Sequence, residues 1–145
     1  MPDNADKNTR FLTSVPLFRA LKEKQLRQIA LRVRERPYKK DDIIVEQGKM
    51  GVGLFIVETG EVQVVRTRPD GTSFIVDTLG PTEFFGELSL LDEEPRSASV
   101  IATQDTMCLA LTQLDFIDTL HEDAEMAVVM LKELAARFRR ALANL

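Results

Sequence analysis

Between Arg36 and Leu111 short β-rich runs alternate with turn signals, and this alternation constrains the fold more than any other feature. Ile43-Ile44-Val45 precedes Gly48, and Leu54-Phe55-Ile56-Val57 precedes Glu58-Thr59-Gly60. Val62-Gln63-Val64-Val65 precedes Pro69-Asp70-Gly71, and Phe74-Ile75-Val76 leads to Leu79-Gly80-Pro81. Val100-Ile101-Ala102 and Met107-Cys108-Leu109-Ala110-Leu111 close the series. Short strands at regular spacing with glycine punctuation predict a small antiparallel sandwich or barrel.

The flanks have a different period. After a polar start, Val15-Pro16-Leu17-Phe18 forms a short apolar turn. Leu21, Leu26, Ile29, Ala30 and Val33 then recur at helical steps. Beyond the β region, Leu114, Phe116 and Ile117 begin an amphipathic piece, and Asp118 to Glu125 reads as an acidic connection. Ala127, Met130, Leu131, Leu134, Phe138, Ala141, Leu142 and Leu145 follow as an apolar stripe at three- and four-residue steps. Acidic residues near its start and Arg137, Arg139 and Arg140 near its end suit the helix dipole. The order is helices, eight or so strands, then helices.

A chain of 145 residues holds one domain's worth of core. A net charge of −4 argues against broad nucleic-acid binding, which needs a basic surface. No apolar run approaches the roughly 20 residues that span a bilayer, and Met1 to Arg10 lacks a signal-peptide apolar region. The single Cys108 leaves no internal disulfide and no cysteine metal motif. A cytoplasmic protein without a membrane partner or metal is the expectation.

The stretch Phe84-Phe85-Gly86-Glu87-Leu88-Ser89-Leu90-Leu91, followed by Pro95-Arg96-Ser97-Ala98-Ser99, carries the chemistry. A short helix opening at Gly86 would present unpaired N–H groups to an anion, and glycine allows close backbone approach. Arg96 offers a forked donor set to phosphate oxygens. Glu87 can accept hydrogen bonds from a sugar hydroxyl. Ser97 and Ser99 add hydroxyls, and Val62, Val64, Ile75 and Leu88 are candidates for an apolar wall against a base.

This pattern resembles the cyclic nucleotide-binding domain family, found in catabolite activator proteins, kinase regulatory subunits and cyclic nucleotide-gated channels. The likeness is close in Phe85-Gly86-Glu87-Leu88-Ser89-Leu90-Leu91 with Pro95-Arg96-Ser97-Ala98, and extends to Glu46-Gln47-Gly48, Leu54-Phe55-Ile56-Val57 and Thr59-Gly60-Glu61-Val62. It implies a mainly β fold, an eight-stranded jelly-roll sandwich (a double-stranded β-helix) with N- and C-terminal helices. On that plan residues 1–10 are a flexible N-terminus and 11–145 a single domain. Its helices are 11–35 and 113–145, with the sandwich at 36–112.

The resemblance implies that Arg96 holds the equatorial phosphate oxygen of a 3′,5′-cyclic nucleotide and Glu87 the ribose 2′-hydroxyl. Gly86, Leu88 and Ala98 would give backbone contacts, Ser97 a side-chain contact, and Phe85, Ser89, Val64 and Ile75 complete the ligand-facing set. Members preferring cGMP often carry Thr where this chain has Ser97, and members preferring cAMP often carry Ala. The ligand is therefore cAMP or cGMP, with no separate cofactor. Two departures read as loop variation: Thr82 replaces a usual glycine, and Lys49 a usual acidic residue. The chain reaches Leu145 without a helix-turn-helix, so direct DNA binding is not expected, and the effector would be a separate protein, another subunit or a further part of the protein. Where the family's longer helix offers polar groups to the purine, this chain has Ala141-Leu142-Ala143, and an apolar lid from Leu134, Phe138 or Leu142 is the expectation.

Blander roles suit the remaining residues. His121 reads as an exposed structural residue, Cys108 as buried core, and Asp92-Glu93-Glu94 as a solvated turn. The C-terminal stripe can pack on the sandwich or pair with its twin in a homodimer. The leading function is a non-enzymatic sensor. A ligand-independent interaction module is the alternative. A cyclic nucleotide hydrolase ranks last, because the chain has no His/Asp metal cluster.

Overall fold

The computed structural model describes residues 4–49, 53–86 and 97–144. Glu87, Leu88, Ser89 and Arg96 lie outside the described residues. Two compact units are present: a β unit from Val33 to Gln113, and a helical unit from the two ends of the chain.

The β unit contains β1 (Arg34–Tyr38), β2 (Ile43–Val45), β3 (Gly53–Thr59), β4 (Val62–Thr67), β5 (Ser73–Leu79), β6 (Phe84–Phe85), β7 (Ser99–Ala102) and β8 (Thr106–Thr112). They form two antiparallel four-stranded sheets, ordered β1-β8-β3-β6 and β2-β7-β4-β5. This is the jelly-roll sandwich the sequence implies. Val57, Phe85 and Cys108 from the first sheet meet Val62, Leu79 and Val100 from the second in one buried cluster. Sandwiches gain most of their stability from such interdigitated inner faces.

Strand β1 escapes a hydrophobicity reading because its sequence is Arg-Glu-Arg-Pro-Tyr. It is an edge strand, paired only to β8, with Pro37 opposite Met107. An edge position tolerates proline and charge because one side of the ladder needs no partner. Strand β5 holds a second irregularity. Val64 pairs with Asp77 but Val65 pairs with Ile75, so Val76 is an extra residue and the strand bulges there.

Gly60 turns β3 into β4 at φ +100°, and a Cβ there would lie 2.6 Å from the Asp105 carbonyl oxygen. Only glycine fits so close a backbone approach.

In the helical unit, residues 4–10 of the N-terminal segment belong to helix α1 (Asn4–Leu12). Its composition is polar, yet Ala5, Asn8, Thr9 and Leu12 fall on one buried face at helical spacing. Val15, Leu17 and Phe18 of the apolar turn are buried, and α2 (Glu23–Ala30) buries Gln25, Leu26, Ile29 and Ala30. Helix α3 spans Gln113–Glu122 and α4 spans Ala124–Ala143. The acidic connection expected over Asp118 to Glu125 therefore shrinks to Asp123. Its acids are held by the N-terminal segment: Arg32 pairs with Glu122 at 2.7 Å, Lys22 with Glu125 at 3.3 Å, and Gln25 Nε2 donates to Asp123 at 3.0 Å.

The C-terminal stripe divides into two faces. Met126 and Met130 are buried, whereas Val128, Leu131, Phe138 and Leu142 are exposed.

The turn entering β6 stores strain. Glu83 N–H donates to the Gly80 carbonyl at 3.1 Å across Pro81 and Thr82, and Thr82 has φ +74°. Proline second and a positive φ third make the type II pattern, where glycine is the natural third residue. Thr82 thus keeps the conformation of the glycine it replaces. A β-branched residue there costs more than the entropy glycine restores to the unfolded chain. Thr82→Gly is expected to stabilise the protein by about 1 kcal/mol in denaturant melts. A destabilised variant would show that the turn carries no such strain.

Candidate functional site

Strand β6 delivers the chain to Gly86. Phe85 pairs with Phe55 of β3, and their rings stack with centroids 5.2 Å apart and planes 9° apart. Phe85 is 5% exposed and belongs to the sandwich cluster. Gly86 follows with φ +95°, the left-handed region that L side chains avoid. On the far side of the cassette, exposed Ser97 and half-buried Ala98 lead into β7 at Ser99.

The wall residues separate. Val64 packs against the sandwich cluster, and Val62 is wholly buried within it. Ile75, 58% exposed, pairs with Val65 and therefore lies on the opposite face of the sheet from Val64. The bulge at Val76 puts Phe74 on Val64's face, opposite Arg66. The guanidinium carbon of Arg68 stands 4.1 Å above the Phe74 ring, a cation–π contact. The sequence reading missed Phe74 because simple alternation cannot reveal a bulge.

A groove of about 810 Å³ opens at this end of the sandwich, lined among others by Gln47, Gly48, Arg66, Arg68, Phe74 and Ser99. Its charge is basic on the β4–β5 side. Glu46 is already paired with Lys49 at 2.8 Å, and that contact holds the Lys49 ammonium above its ordinary value. Lys49, the second family departure, thus settles a local ion pair. At the hairpin tip the Thr72 hydroxyl and N–H both donate to Asp70, which keeps its carboxyl below the usual range. Burial pushes the Cys108 thiol up to about 12, so at neutral pH it is a protonated core group.

Gln47 is the residue sequence reasoning left without a role. Its Nε2 donates to the Thr67 carbonyl at 3.0 Å, its Oε1 accepts from Thr67 N–H at 2.8 Å, and its own N–H donates to Ser99 Oγ at 2.9 Å. Its place beside the Gly48 turn was the available signal. Ser99, read as an extra hydroxyl for ligand, is occupied by this contact. On α4, Leu134 is half-buried while Phe138 and Leu142 are exposed.

The family model for the cyclic nucleotide-binding domain matches residues 35–123. The chain belongs to this family. Among curated relatives of this domain, the cyclic AMP receptor protein of Thermus thermophilus is 36% identical over 126 residues, covering 87% of this chain and 58% of that protein. Among solved structures, the N-terminal domain of a transcriptional regulator from Streptomyces coelicolor matches with a TM-score of 0.81 at 33% identity, covering 92% of this chain and 94% of that one. The regulatory domain of Toxoplasma gondii PKA, crystallised with cAMP, matches with a TM-score of 0.82 at 26% identity, covering 92% of this chain and 50% of that one. The cyclic nucleotide-binding domain described here thus spans a little over half of its curated bacterial relative.

Proposed function

We propose that this chain is a regulatory module that binds a cyclic mononucleotide, with cAMP as ligand and cGMP as the alternative. The observation that carries the reading is the anchoring of the cassette sequence. It begins at a left-handed Gly86 behind the Phe55–Phe85 stack and ends at exposed Ser97 and half-buried Ala98. Arg96 would hold the cyclic phosphate and Glu87 the ribose 2′-hydroxyl, with Gly86, Leu88 and Ala98 adding backbone donors. Val64 and Phe74 suit the apolar wall better than Ile75. The module senses its ligand and leaves it intact, and an effector reads the outcome.

Calorimetric titration of protein stripped of nucleotide by unfolding and refolding tests this. Saturable binding of cAMP is expected, and Arg96→Ala should weaken it about 100-fold or more, the usual consequence of truncating one partner of a charged hydrogen-bonded pair. Absence of heat from folded, stripped wild type would remove the reading in favour of a ligand-independent module.

Residues of α3 and α4 are the lid on this reading, with Leu134, Phe138 and Leu142 as its apolar cap. Ligand contact would shift the population of two helix arrangements. Saturating cAMP should slow hydrogen exchange across residues 114–144. Unchanged exchange there, with binding intact, eliminates the lid.

A second copy of the chain fits the exposed face of α4. Val128, Leu131, Ala135, Phe138 and Leu142 are all exposed and follow three- and four-residue steps, the seam of a two-helix coiled coil. Sedimentation should give a dimer for wild type and a monomer for Leu131→Glu. A monomeric wild type at high micromolar concentration rejects the pairing.

A further inference from the structure

Strand β7 leaves its sheet at Ser99 although its neighbour β4 continues. On one side β4 runs on through Arg66 and Thr67, and the register Val62↔Ala102 through Val65↔Ser99 would bring Thr67 opposite Ser97. On the other side β2 ends at Val45, opposite Val100, and Gln47 follows in a turn. A strand that stops short leaves its neighbours' backbone groups without partners, and unmade backbone hydrogen bonds are costly.

Gln47 takes up these groups. Its carboxamide carries the same donor and acceptor as a peptide unit. With Thr67 it makes both hydrogen bonds, N–H to Oε1 at 2.8 Å and Nε2 to carbonyl at 3.0 Å, that the backbone of Ser97 would otherwise make. The Gln47 N–H donates to Ser99 Oγ at 2.9 Å, which ties the turn to the first residue of β7. Among the described residues, no hydrogen bond falls on the backbone of Ser97 or Ala98.

We propose that Gln47 is a positioning residue that replaces Ser97 in the sheet, leaving the Ser97 backbone N–H for the anionic group of the bound nucleotide. This rests on the cyclic-nucleotide reading above. Gln47 touches no ligand. It acts by keeping the end of β7 peeled away, and Ser99 fixes the point at which peeling begins. The sheet stays closed at that end without consuming the amide the ligand needs.

Two variants test it. Gln47→Met keeps the length of the side chain and removes its donor and acceptor. Ser99→Ala removes the acceptor for the Gln47 N–H. In Gln47→Met the end of β7 should pair with Thr67, so amide exchange at Ser97, followed by NMR without ligand, should slow relative to wild type. Its cAMP affinity should fall about tenfold, the effect of one lost net hydrogen bond or a little more. A role confined to fold stability would lower the melting temperature without slowing exchange at Ser97. Wild-type cAMP affinity in a folded Gln47→Met, or unchanged Ser97 exchange, overturns the proposal and leaves the cyclic-nucleotide reading standing. If wild type itself binds no cAMP, both fall together. Should Gln47→Met fail to fold, Ser99→Ala carries the same two readouts, with the same outcomes deciding.

Discussion

The inner cluster of the sandwich is the constraint on which the site depends, because the cassette starts in one sheet and ends in the other. β6 belongs to the sheet of β1, β8 and β3, whereas β7 belongs to the sheet of β2, β4 and β5. The distance the cassette must bridge is therefore set by how Val57, Phe85 and Cys108 pack on Val62, Leu79 and Val100. Packed interiors deform little and are sensitive to single methylenes. A ligand site strung between two such sheets inherits their rigidity at both ends without needing a stiff backbone of its own. Phe85 has the decisive place, since it is both a member of the cluster and the residue before Gly86. The Cys108 thiol faces the same demand, and its raised pKa expresses the dry surroundings that make the cluster firm.

The sandwich and its helical flanks were legible because their signals are repeated. Runs such as Leu54 to Val57 and Met107 to Leu111 recur with glycine turns between them, and each repetition supports the others. What was not legible is single and local. β1 has no apolar pattern because an edge strand of this type needs little. Helix α1 is short and polar, and only the spacing of Ala5, Asn8, Thr9 and Leu12 marks its face. The face that Ile75 occupies is not legible either, because one extra residue at Val76 reverses every side chain beyond it. Half of the candidate site was readable as motif, in Gly86 and the Ser97-Ala98 pair. Gln47 was not readable, because its work is to satisfy backbone groups whose orphaning only the sheet register reveals.

The helical unit gives the acidic residues around Asp123 a different meaning from a free hinge. Glu122, Asp123 and Glu125 each take a partner from the N-terminal segment, through Arg32, Gln25 and Lys22. Gln25 is central, since its Oε1 also accepts from the Lys22 N–H at 2.9 Å at the start of α2. Exposed ion pairs of this kind contribute about 0–1 kcal/mol each, too little to lock the junction singly but enough together to bias it. A conformational change at Asp123 would then be felt in α2 as well as in α4. If the proposed lid operates, its bistable element would be the junction of three helices and not the C-terminal helix alone.

The two faces of α4 set a choice between the lid and the second copy. Met126 and Met130 are committed to the interior, so only the exposed face remains for further contact. Phe138 and Leu142 lie on that face together with Val128 and Leu131. A side chain packed in a helix seam cannot also cap a base, so the two roles compete for the last two turns. Leu134, half-buried, lies outside that seam, so a cap that used it alone would take nothing from the pair. If both roles operate, ligand and second copy are linked: whatever fraction of Phe138 the nucleotide draws away is lost to the pair. Reciprocity then requires that pairing alter nucleotide affinity by the same factor. An apolar face with no polar group to offer the purine would in that case convert ligand binding into a change of assembly, using nothing beyond burial of the same few side chains.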